Sequence, residues 1–113
     1  MANTFKVKTK AGIGTSITTV YTVPSTTTAI VLGLIVGNVT GSAVNATVHV
    51  ETNTSDTETN VNVELVTNAP IPAGGSLELL SGNKVVLQAT DVLKVTSDTA
   101  SSIDACLSFM EIT

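Results

Sequence analysis

The sequence predicts an all-β fold: an antiparallel β-sandwich, jelly-roll-like, of eight to nine short strands. Three observations predict it. Twenty of the 113 residues are threonine, and β-branched side chains suit a pleated, half-buried surface. Apolar and polar residues alternate with period two between turn signals of Gly, Pro, Asn and Asp at short intervals. No stretch carries a convincing 3.6-residue apolar period, and the pattern does not recur at the constant interval of a solenoid.

Thr4 to Lys10 opens the chain with strict alternation, Phe5 and Val7 on one face and Lys6, Lys8 and Lys10 on the other. It reads as an edge strand or basic arm over residues 1–14, with the lysines on the exposed side discouraging indiscriminate pairing. Residues 15–113 form a single sandwich domain. Gly12 and Gly14 mark a turn into Ile17 to Val23, with Ile17 and Tyr21 on one side. Pro24 to Thr28 closes that strand.

Thr22 to Asn38 holds the longest apolar run, Ala29 to Val36, uncharged and interrupted only by Gly33. Such a run is the central strand, and it predicts cover on both faces. Asn38 to Ser42 is a turn. Ala43 to Glu51 alternates again, Ala46, Val48 and Val50 facing one way and Asn45, Thr47, His49 and Glu51 the other.

Asn53 to Thr59 is the most polar stretch and reads as an exposed loop. Val61, Val63 and Leu65 resume alternation. Pro70 and Pro72 cannot donate ladder hydrogen bonds, so Ala69 to Gly75 is a crossing between sheets or an edge segment. Leu77 and Leu79 form a short strand, Gly82-Asn83 a hairpin turn into Lys84 to Gln88, and Thr90-Asp91 a turn into Val92 to Ser97. The last strand places Ile103, Ala105, Leu107 and Phe109 on one face.

Composition narrows the function. Charged residues make up 12% of the chain and aromatics 3%, the former about half the usual share. Weakly polar surface of this kind is readily desolvated against a partner, which predicts a homo-oligomer or a larger assembly. The net charge of −4 divides unevenly: Lys6, Lys8 and Lys10 give +3 to the first ten residues, and two lysines against nine carboxylates leave −7 elsewhere. Arginine is absent, which disfavours nucleic-acid readout. The start lacks the apolar core of a secretory signal, and no run is long enough to span a bilayer. Synthesis in a cytoplasm, with no membrane partner, is the expectation.

The residues offer little chemistry. His49 and Cys106 are the only histidine and cysteine. A Cys–His nucleophile pair or a ligand-binding cluster would have to use them, but no local motif supports it, and the pair cannot complete a zinc site. A surface histidine and a packed, inert cysteine are the expectation. Asn53, Ser55, Asp56, Glu58 and Asn60 could offer oxygen to Ca²⁺ but lack the spacing and turn glycine of a calcium loop. Asp91 and Asp98 read as side-chain turn formers. The glycine pairs lack a phosphate-loop lysine and a following helix. The Asn-x-Ser/Thr triplets at Asn38, Asn45 and Asn53 read as accidents of composition, and Thr-x-Thr pieces do not recur as an ice-binding ladder would. No enzyme activity, cofactor or metal is expected.

From Tyr21 onward the order of signatures is specific: Tyr21-Thr22-Val23-Pro24, Thr28-Ala29-Ile30-Val31, the turn at Asn38, Pro72-Ala73-Gly74-Gly75-Ser76-Leu77-Glu78-Leu79, Asp91-Val92-Leu93-Lys94-Val95 and Ser108-Phe109-Met110-Glu111-Ile112. This resembles small β-sandwich virion proteins of tailed bacteriophages, those of marine and cyanobacterial phages in particular. The resemblance implies a virion structural protein: a capsid decoration (cement) subunit on the outer head surface, with the major capsid protein as partner and a trimer as its oligomer. The alternative is a neck, tail or fibre-associated adaptor contacting portal or tail proteins. Phe5, Lys6, Val7, Lys8 and Lys10 are the candidate partner-binding residues, adding a strand to an edge of the capsid or of a neighbouring copy.

Overall fold

Runs of β-branched residues closed by Gly, Pro and Asn build strands throughout. The computed structural model describes residues 2–53, 58–79 and 85–113, and within them there are nine strands and no helix. They are β1 (Asn3–Ile13), β2 (Thr18–Thr22), β3 (Thr28–Asn38), β4 (Val44–Thr52), β5 (Asn60–Ile71), β6 (Ser76–Leu79), β7 (Val85–Leu87), β8 (Val92–Ser97) and β9 (Ile103–Ile112). The first sheet has the order β1-β9-β3-β6, with β7 also paired to β3, and the second has the order β2-β8-β4-β5. Every pairing is antiparallel. The predicted antiparallel sandwich is the fold found.

The core lies between the two inner faces. Val31, Leu34 and Val36 of β3 and Ile103, Ala105, Leu107 and Phe109 of β9 meet Ala46, Val48 and Val50 of β4 and Leu93 and Val95 of β8, all buried. Leu32 is the extra residue of a β-bulge against β9. It shifts the inward phase from odd to even positions, which is how an uninterrupted apolar run presents Val31 and Leu34 to the same side.

As expected, β3 is central, flanked by β9 on one edge and by β6 and β7 on the other. Its two faces are not both covered, however. The second sheet packs on one side alone, and Ile35 on the outer face is 45% exposed.

The strand β1 departs further from expectation. Lys6, Lys8 and Lys10 lie opposite Phe109, Leu107 and Ala105, so they share the inner face of the first sheet. Phe5 and Val7, opposite Met110 and Ser108, occupy the outer face. The cause is a bulge at Ala11 and Gly12, where two residues oppose Asp104. Gly12 adopts φ 68°, a conformation natural to glycine, and its N–H donates to Asp104 Oδ1 at 3.0 Å. Since Ile13 is fixed inward at 1% exposure, the added residue turns over everything before it. Gly12 therefore lies within the strand rather than in a turn.

Other corrections are smaller. A bulge between Thr19 and Tyr21 buries Val20 and Tyr21 together and leaves Ile17 exposed. The segment through Pro70 is the end of β5, an edge strand, and the chain crosses to the first sheet through the following turn. Part of the polar loop at 54–57 and the Gly82-Asn83 turn lie outside the described residues.

Candidate assembly surface

Hydrogen-bond parity fixes what β1 offers a neighbour. Ala2 and Thr113 exchange backbone bonds at 3.3 and 3.1 Å. In an antiparallel ladder this makes Thr4, Lys6, Lys8 and Lys10 the residues whose N–H and C=O face β9. The backbone groups of Asn3, Phe5, Val7 and Thr9 therefore point to the open side of the sheet. Along that edge Phe5 is 72% and Val7 60% exposed, so a long strand combines free hydrogen-bonding groups with unburied apolar side chains, the combination that templates pairing with another chain.

Inside the edge, three side chains form a polar network. Glu111 continues the inward series of β9 and is buried. Its carboxylate accepts from Tyr21 Oη at 2.6 Å and pairs with Lys6 Nζ at 2.8 Å. The Tyr21 ring stacks on Phe109 with centroids 4.3 Å apart. Together with Lys8 and Pro24 these residues line an open cleft of about 410 Å³ between β1 and β2.

The Lys6 hydrogen bond, then that of Tyr21, holds the Glu111 carboxyl below the usual glutamate range. Burial, reinforced by Glu111, pushes the Tyr21 hydroxyl well above its ordinary value of 10.0. The two groups act at opposite ends of the pH scale. The stability contributed by Glu111 is complete above the ordinary glutamate range and lost as pH falls through the depressed value. That of Tyr21 is complete below 10.0 and lost as pH rises beyond it, where the unfolded chain ionises first. Lys6→Met is expected to move the acid unfolding midpoint toward neutral pH, and Tyr21→Phe to flatten the alkaline decline; circular dichroism melts across pH check both.

The outer faces of the two sheets differ. On the first, Phe5, Met110, Ile30 and Val86 lie side by side in one row across β1, β9, β3 and β7, with Val86 58% exposed. On the second, Thr19, Lys94, His49 and Glu64 form the corresponding row, and Lys94 pairs with Glu51. The row on the first sheet is apolar and that on the second polar. Alternation within each strand was visible in the sequence, whereas the rows arise from register between strands.

The candidate residues Phe5, Lys6, Val7, Lys8 and Lys10 are thus on one edge strand but on two faces, and Lys6 is committed to Glu111. Sequence reasoning missed Glu111 and Tyr21, although the period-two series Ile103 to Phe109 pointed to Glu111 as its next inward member. His49 was expected at the surface but is buried, its Nε2 3.1 Å from Thr96 Oγ1. It lies on the inner strand β4 between Lys94 of β8 and Glu64 of β5. Cys106 is opposite Ile35 on the outer face of the first sheet, so the two residues lie on opposite sides of the sandwich. Asp91 accepts from the Asn53 and Gln88 amides, and Asp98 from the Asn45 amide. Among the described residues no three His, Cys, Asp or Glu cluster as a metal site would require.

The chain matches no protein-family model and no curated protein. Solved structures do share its fold. A protein of Bacillus endospore appendages, described as disulfide-linked pili, aligns with TM-score 0.55 and 9% identity over 99% of this chain and 87% of its own. A protein of infectious bursal disease virus, Gx strain, aligns with TM-score 0.55 and 12% identity over 96% of this chain and 33% of its own. Likeness at this identity is likeness of fold.

Proposed function

We propose that the protein is a structural subunit of a tailed-phage virion, without catalytic activity, that decorates the outer surface of the head. The observation that carries this reading is the pairing of an open edge at β1 with the apolar row Phe5, Met110, Ile30 and Val86 on the outer face of the same sheet. Both are surfaces that a monomer in water would keep covered. The fold likeness to a viral protein and to an appendage subunit supports the same direction.

The major capsid protein is the proposed partner, and a trimer the proposed oligomer. A subunit that touches several capsomers at once gains effective concentration for each further contact, so it resists the opening of junctions under internal pressure. The alternative, an adaptor at the neck or tail, draws on the likeness to a filament-forming protein.

Copy number separates the two. Purified particles are expected to contain the chain in hundreds of copies, as head decoration requires; a dozen or fewer would move it to the portal axis, and its absence from particles would end the virion reading. Truncating residues 1–10 is a poor probe, because it strips β9 of one of its two partner strands. Substituting Phe5 and Val7 by serine is the cleaner choice, with occupancy on capsids falling while the unfolding temperature barely changes.

A further inference from the structure

We propose that copies of this chain join head to tail, the free edge of β1 in one copy pairing with the free edge of β5 in the next. The inference rests on the reading of the chain as an assembly subunit and names the contact that builds its oligomer.

Both strands are sheet edges, and they match in length at 11 and 12 residues. Among the described residues, five of the nine exposed large apolar ones lie on these two strands: Phe5 and Val7 on β1, and Val61, Val63 and Leu65 on β5. Their charges are opposite. Lys6, Lys8 and Lys10 give β1 three positive charges and no negative one, while β5 carries one negative charge, Glu64, and no lysine.

The faces agree as well. Asn45 C=O accepts from Asp98 N–H, so alternate residues of β4 address β8 and those between them address β5. His49 is among the former, which leaves the N–H and C=O of its cross-strand neighbour Glu64 pointing to the open side of β5. Glu64 lies on the outer face of the second sheet and Val63 on the inner. A junction that sets the lysine side of β1 beside Glu64 also sets Phe5 and Val7 on the side of Val63. There they cover the margin where Leu77, Leu79 and Val85 are only partly buried. Charge meets charge and apolar meets apolar in the same register.

A contact between two different edges is heterologous, so it closes a ring or extends a filament instead of stopping at a dimer. That property is testable by mixing. Val7→Pro removes a free-edge N–H of β1, and Glu64→Pro one of β5, both at positions that donate nothing to the ladders within the chain. In native mass spectrometry of the full chain, the unaltered protein is expected to be oligomeric and each variant alone monomeric. Their equimolar mixture is expected to give a 1:1 dimer, since each supplies the edge the other lacks.

A second set avoids proline. Lys8→Glu with Lys10→Glu, or Glu64→Lys alone, should weaken association by roughly tenfold or more, and mixing the two should restore it. A monomeric unaltered protein, a single variant that still self-associates, or charge-reversed chains that fail to recover on mixing would overturn the pairing. A normal copy number on particles alongside any of those results would leave decoration standing and remove only the β1–β5 contact. Absence from particles with the mixing pattern intact would do the reverse.

Discussion

Replacing Phe109 by alanine is expected to lower the unfolding free energy by about 3–5 kcal/mol, the usual range for emptying an aromatic site in a packed core. Phe109 is the largest of the fully buried side chains and stacks on Tyr21 beneath the Lys6–Glu111 pair. The neighbours cannot collapse into the space, because β9 is held on both edges by β1 and β3. Urea titration should show a lower midpoint at unchanged slope, and the melting temperature should fall by roughly 10–20 °C. An equal loss from Phe5→Ala would contradict this account. Phe5 is exposed, and its truncation should change stability by no more than about 0.5 kcal/mol. Of the two phenylalanines of this chain, one is buried in the core and the other lies exposed on the β1 edge proposed as a contact.

Asn38→Asp is expected to cost about 3 kcal/mol or more. The Asn38 amide is buried at the end of β3. Its Nδ2 group shares two N–H bonds among the carbonyls of Ser42, Ile71 and Pro72 at 2.7, 3.1 and 3.2 Å. Its Oδ1 accepts from the backbone N–H and hydroxyl of Thr40 at 2.9 and 2.7 Å. One side chain therefore ties the turn after β3 to the end of β5 and so joins the two sheets. Aspartate would keep the Thr40 donors on one oxygen but aim the other, carrying buried negative charge, at three carbonyls that can donate nothing to it. The deficit should shrink as pH falls and the new carboxyl regains a proton, which chemical denaturation at two pH values would detect. A loss no larger than that of an ordinary surface substitution, within about 0.5 kcal/mol, would show that the turn holds without this side chain. The same hydrogen bonds occupy the nitrogen that a glycan would need, so the Asn38-Val39-Thr40 triplet is structural.

Most strands were legible because period-two alternation is a local property. The inward residues of β4 and β9 follow from it directly, and so does the placement of turns at Asn38 and Asp91. Asn38 was read as a turn residue, and its bonds to Thr40 and Ser42 are local, but two further partners, Ile71 and Pro72, lie more than thirty positions away, beyond the reach of any local rule. The network at Glu111 was half legible: its inward direction continues the series from Ile103, whereas its partners Lys6, on the paired strand β1, and Tyr21, on β2 of the other sheet, lie far from it in the sequence.

By itself the sequence determined the class of fold, the central place of β3 and the lack of a local motif for chemistry, because composition, alternation and turn residues act over a few positions. Tertiary structure decided which face each side chain shows. A single extra residue at Gly12 inverts β1, sending lysines inward and Phe5 and Val7 outward, and another at Leu32 keeps β3 in phase with the core. Bulges cost one residue and leave the alternation on either side intact, so the pattern of letters is the same with or without them. Only the register against β9, set by the buried Ile13 and Ile103, distinguishes an apolar outer face from a buried one.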